Sequence, residues 1–194
     1  MVGFLWGVFT GEYIISLNIA IFFELFWLDL IPVGTFIPPH LAAVTFSALS
    51  LTTYFGLTHP ASILGVILAC MPLAWLGSKV EMWIRDQERA GYNRLLHWVR
   101  QPGDSNGPGR IILGSLTRTF IVSWIGFYAS VLVLKVVFDT LFTLYPGALA
   151  SVNIQWAHLW GAATLGGVMA LRLKRAYAVL GTGITLFVLF TLFA

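Results

Sequence analysis

An all-α, polytopic transmembrane fold is what this sequence predicts, and three observations carry the prediction. Hydrophobic residues make up 58% of the chain and charged residues only 10%, against about 25% charged in a soluble domain, and the mean hydropathy is +0.86. The apolar residues are gathered into runs near the ~20 residues that a bilayer-spanning helix needs. The basic residues are grouped rather than scattered: seven of the eleven lie between Lys79 and Arg118, and Arg172, Lys174 and Arg175 form a second cluster. A length of 194 residues accommodates about five to seven helical elements in one membrane domain, 1–194.

The first apolar region runs from Val2 to about Ile37 and is interrupted by Glu12, Glu24 and Asp29. It is too long for one span and too broken for two, and Thr10–Gly11–Glu12 and Pro32 read as ends of short elements. Glu24 stands in the otherwise apolar run Tyr13–Leu28. A carboxylate at membrane depth costs several kcal/mol unless it meets a partner or a water-filled cavity, which makes Glu24 a candidate functional residue. The following stretch, Pro32 to His40 with Gly34, Pro38 and Pro39, holds two helix-breaking devices in an apolar setting. It is either a broken or re-entrant segment of the kind that builds midplane sites in transporters or an ordinary loop between spans.

Apolar regions follow at Leu41–Leu57 and Ala61–Gly77. In residues 79–100, Val80, Trp83, Ile84, Leu95, Trp98 and Val99 recur at helical spacing opposite Lys79, Arg85, Asp86, Glu88, Arg89, Arg94 and Arg100. This pattern predicts a long amphipathic helix lying on the membrane surface or against a partner. Residues 101–109 read as a flexible linker, rich in Gly, Pro, Ser and Asn, that divides the chain into 1–100 and 110–194. Ile111–Phe138, interrupted by Arg118 and Lys135, is the fourth region, and the last, from Leu149, is split at Arg172–Arg175 to leave a final helix over 176–194. Under the positive-inside rule, 79–110 and Arg172–Arg175 are cytoplasmic and the Tyr145–Pro146–Gly147 turn is outside.

The charge pattern is that of membrane loops and not of a nucleic-acid surface. The single cysteine, Cys70, sits in an apolar run, which rules out an intrachain disulfide framework and a cysteine-based metal cluster. His40, His59, His97 and His158 show no metal-ligand spacing. No phosphate-binding glycine loop and no nucleophile with an accompanying base is present, so the expectation is a non-enzyme without cofactor, metal or catalytic residues. Gly161, Gly166, Gly167, Ala162, Ala163 and Ala170 predict a small-residue face for close helix packing, and the tryptophans read first as interface anchors.

Read in order, Val2–Gly3, Gly7, Thr10–Gly11, Glu24, Leu28, Gly34 and Pro39 resemble the early part of membrane subunit IIC of the mannose/sorbose-type phosphotransferase system. Pro72–Leu73–Ala74 leading to Arg100 resembles that family's long arm helix, and Pro146, Asn153 and Gly166–Gly167 before Arg172 resemble its C-terminal half. The resemblance implies a multi-pass protein of the bacterial inner membrane that translocates a sugar, a hexose, together with a IID membrane subunit, for phosphorylation by cytoplasmic IIB and IIA subunits. It implies substrate-binding roles for Glu24, Gly34, Pro39 and His40, and leaves room for a second copy of the chain in the assembly. The chain departs from the family pattern where Ile19–Phe23 replaces small glycines, where Pro32 replaces an asparagine and where His40 replaces an aspartate. The family's opening residues have no counterpart before Met1. A non-transporting subunit that anchors a complex is the competing expectation.

Overall fold

A computed structural model describes residues 1–28, 37–100, 107–145, 153–171, 177–183 and 185. Every regular element among them is helical: α1 Val2–Thr10, α2 Tyr13–Phe26, α3 Leu41–Tyr54, α4 Pro60–Arg100, α5 Gly107–Leu144 and α6 Trp156–Ala170. Asp29, Pro32 and Gly34 with their neighbours over 29–36, most of the linker, Pro146–Gly147, the cluster Arg172–Arg175 and most of the final helix lie outside the described residues.

The short elements expected in the first region are present. Gly11 adopts φ 79° and its N–H bonds to the Gly7 carbonyl at 2.8 Å, a left-handed closure that glycine makes without steric cost. The chain then turns back as α2. α1 and α2 pack closely because Gly3 and Gly7 are buried at their contact: a Cβ on Gly3 would stand 2.5 Å from the Ser16 carbonyl oxygen. This is small-residue packing at i, i+4 spacing. α2 and α3 have 14 residues each, so each extends about 21 Å, short of the ~30 Å hydrocarbon core.

α3 ends at Gly56, whose φ is 60°. The Leu57 N–H bonds to Thr52 and the Gly56 N–H to Thr53, the paired bonds of a Schellman motif. α4 opens on Pro60, a favoured first helical residue, and contains Pro72 without a break. α4 and α5 are both long and apolar enough to cross a membrane.

The reading of residues 79–100 and of the linker is corrected here. The amphipathic stretch 79–100 is the second half of α4 and not a helix of its own, since no proline follows Pro72 until Pro102. Its packed face also differs from the predicted one. Gly77, Glu81, Ile84, Glu88, Gly91, Leu95 and Trp98 are the half-buried or buried positions, while Val80, Trp83 and Val99 are exposed. The cause is α5, which runs antiparallel alongside: Gly91 faces Ile111, and the Ser115 hydroxyl donates to the Glu88 carboxylate. The alternating four- and three-residue spacing is that of a coiled-coil seam, in which a small or hydrogen-bonded residue can replace an apolar one. The linker is also shorter than expected, because α5 begins at Gly107 and takes Pro108 into its first turn, where proline is tolerated.

The core lies between α2, α3 and the apolar half of α4, with one residue from α5 and two from α6. Phe23, Ile19, Val44, Ala48, Ile63, Val66, Ile67 and Cys70 are fully buried, and Phe138, Leu159 and Ala163 close its edges. α6 approaches α2 through Gly167, where a Cβ would stand 2.5 Å from the Leu25 carbonyl oxygen. The expected small-residue face is therefore real at Ala163, Gly166 and Gly167, whereas Gly161 and Ala162 point away.

Candidate functional site

His40 is fixed from two directions. Its backbone N–H bonds to the Ala74 carbonyl of α4 at 3.0 Å, and its Nδ1 accepts from the Ala43 N–H at 3.2 Å, capping α3. Gly77 makes the docking possible, since a Cβ there would come within 2.6 Å of the His40 Cβ. With Nδ1 unprotonated, the neutral ring carries its proton on Nε2 and offers one donor.

Beside His40 lies a cavity of about 530 Å³ between the N-terminal half of α3, the middle of α4 and the middle of α5. This is within the ~300–1,000 Å³ typical of small-molecule pockets. Its walls are mainly apolar, from Leu73, Leu76, Val80, Ile84 and Val122, with Phe46 and Phe127 side by side at an edge-on angle of 81°. The polar groups are His40, Ser47, Glu81, Thr119, Ser123 and Ser130.

The Ser47 hydroxyl donates to the Ala43 carbonyl at 2.8 Å and the Ser130 hydroxyl to the Gly126 carbonyl at 2.7 Å. Their hydrogens are used within their own helices; Ser47 is itself fully buried, so of the two it is the Ser130 oxygen that is left to accept from a ligand. Glu81 pairs with Arg85 at 2.5 Å through Oε1, which leaves Oε2 as a further acceptor. The cavity thus presents acceptors at Glu81 and Ser130, the His40 donor, the Thr119 and Ser123 hydroxyls that can donate or accept, and two aromatic plates. It suits a ligand that brings several O–H donors and an apolar ring face.

Of the four residues expected to bind substrate, His40 alone lines this cavity. Pro39 precedes it, and its carbonyl accepts from the Leu41 N–H at the start of α3. Gly34 lies outside the described residues. Glu24 is exposed on the outer face of α2, flanked by the exposed Leu17, Ile21 and Leu28. The carboxylate that lines the same cavity as His40 is Glu81, which sequence reasoning assigned to neither face of the arm. The one signal available for it was its place in the 77–81–84–88 spacing.

The remaining histidines have local roles. His158 Nδ1 accepts from the Gln155 N–H in a capping box at the start of α6, the His59 carbonyl accepts from Ile63 at the start of α4, and His97 is exposed. Among the described residues there is no group of three or more metal-binding side chains. Compared with protein-family models, curated proteins and solved structures, the chain matches none.

Proposed function

We propose that this chain is a membrane-embedded sugar permease subunit of the IIC type, and that the α3–α4–α5 cavity is its sugar site. The observation that carries the reading is the set of carboxylate, hydroxyl and imidazole groups beside Phe46 and Phe127. A hexose brings several hydroxyl donors and an apolar ring face, and each donor taken from water needs an acceptor. The ordered landmarks of the sequence support the same reading independently. In it, Glu81 and the Ser130 oxygen accept sugar hydroxyls and His40 donates through Nε2. α4 and α5 cross the bilayer of a bacterial inner membrane, and cytoplasmic IIB and IIA subunits phosphorylate the sugar.

Glu24 takes a different role in this proposal. It stands on an exposed apolar face of α2, where a carboxylate needs a hydrogen-bond donor from another membrane helix. That donor comes from the IID partner. The arm, residues 79–100, leaves the bilayer as a continuation of α4 instead of lying along the surface.

The test is radiolabelled hexose uptake in cells that supply IIA, IIB and IID, with assembly followed by co-purification of IID. Glu81→Gln and His40→Ala are expected to lower uptake about tenfold or more, the cost of one charged or one buried hydrogen bond, with IID still bound. Glu24→Gln is expected to weaken IID co-purification. Normal uptake in Glu81→Gln removes the site assignment. An assembled parent protein that takes up no hexose favours the anchoring, non-transporting subunit instead, a reading supported by α5, none of whose most apolar stretch is buried within the chain.

A further inference from the structure

The apolar stretch of α5, Ile111–Phe138, extends about 42 Å, well beyond the ~30 Å hydrocarbon core. The excess lies on the charged side. Gln87 is already about 12 Å past Lys79 along the helix axis, further than the headgroup layer reaches. At this level α4 and α5 leave a groove of about 660 Å³ between them.

Leu95, Ile111, Ile112 and Leu116 give the groove an apolar floor. It is wide because glycines line both walls: a Cβ on Gly114 would meet nothing within 4 Å, and one on Gly91 only Ile111 at 3.7 Å. Arg110 and Arg118 stand at its two ends, about 12 Å apart along α5. Both are exposed and neither forms an ion pair among the described residues. The acidic residue of the groove, Glu88, already accepts from Ser115. Ile112 and Leu116 are 58% and 63% exposed, and apolar surface held out in water marks an interaction site.

We propose that this groove docks an acidic amphipathic helix of a soluble partner protein. Its apolar face covers the α5 floor, and carboxylates two turns apart on that face, about 11 Å, meet Arg110 and Arg118. This is the helix-in-groove mode of recognition, with the arginine pair setting the charge of the guest. The inference rests on the reading that α4 and α5 cross the bilayer.

The experiment uses the full chain in nanodiscs of neutral phosphatidylcholine. The probe is a fluorescein-labelled amphipathic peptide with two glutamates about two turns apart beside a leucine face, together with its lysine counterpart. Fluorescence anisotropy is expected to show binding of the acidic peptide, weakened about tenfold or more by the double variant Arg110→Glu/Arg118→Glu. That variant is expected to prefer the lysine peptide, which also shows that it remains folded. Equal binding of both peptides to the parent protein, or binding of neither, overturns the proposal. So does a double variant that keeps the acidic peptide but loses flotation with phosphatidylglycerol vesicles, since lipid headgroups are then the ligand. A spin label at Tyr92→Cys in a Cys70→Ser background separates the two readings. A label in lipid removes the crossing assignment, and a label in water without peptide binding removes the groove assignment alone.

Discussion

His40 illustrates how a single side chain acquires its role from several weak constraints. The backbone N–H is held by the Ala74 carbonyl, the Nδ1 cap starts α3, and the absence of a side chain at Gly77 lets the residue reach α4. None of these contacts uses Nε2, which is why it is free for the cavity. Thr52 shows the opposite situation. It is 2% exposed and its hydroxyl has no hydrogen-bond partner among the described residues, whereas Thr45, Ser47 and Ser50 of the same helix each donate to the carbonyl one turn earlier. A buried hydroxyl without a partner costs about 1–3 kcal/mol. Thr52→Val keeps the shape and removes that cost, so it is expected to raise the melting temperature in detergent by an amount corresponding to about 1 kcal/mol. A drop in melting temperature of similar size shows that the hydroxyl is paired in solution.

Among the elements, glycine decides where helices touch, and this yields a matched pair of predictions on α6. Gly167→Ala brings a Cβ to 2.5 Å from the Leu25 backbone, which cannot yield as a flexible side chain does, so a loss of about 1–3 kcal/mol is expected from overpacking. Gly161→Ala meets nothing within 4 Å and is expected to be neutral or stabilising, by up to about 1 kcal/mol of helix propensity. Gly3→Ala should resemble Gly167→Ala by separating α1 from α2. Thermal unfolding of the three variants checks the set, and equal behaviour of Gly161→Ala and Gly167→Ala removes the α2–α6 contact. The α6 glycines were legible in the sequence as a packing face. Which of them pack was not, because the face of α6 that meets α2 is set by where α2 ends against it.

For the whole molecule, the arrangement of α4 and α5 makes the sharpest claim. Their apolar halves cross the membrane in this reading, and their charged halves form an antiparallel hairpin beyond it. Spin labels along 87–100 are expected to be uniformly accessible to a water-soluble relaxer, apart from the seam positions, while labels over 120–134 are reached by oxygen. A helical alternation between lipid and water along 87–100 instead returns the arm to the membrane surface. The helical class, the short elements at Thr10–Gly11, the start of α4 at Pro60 and the buried Cys70 all follow from composition, breakers and local hydrogen-bonding rules, which act over a few residues. So does the grouping of charge beyond Lys79. The presence of Glu81 and His40 in one cavity, the outward placement of Glu24 and the shift of the arm's packed face do not follow from such rules. Each depends on which helix lies alongside, and that is settled by close approach at Gly3, Gly77 and Gly167, between residues of different elements. Sequence determined what each helix is made of; tertiary packing decided which of its faces is left to hold a ligand.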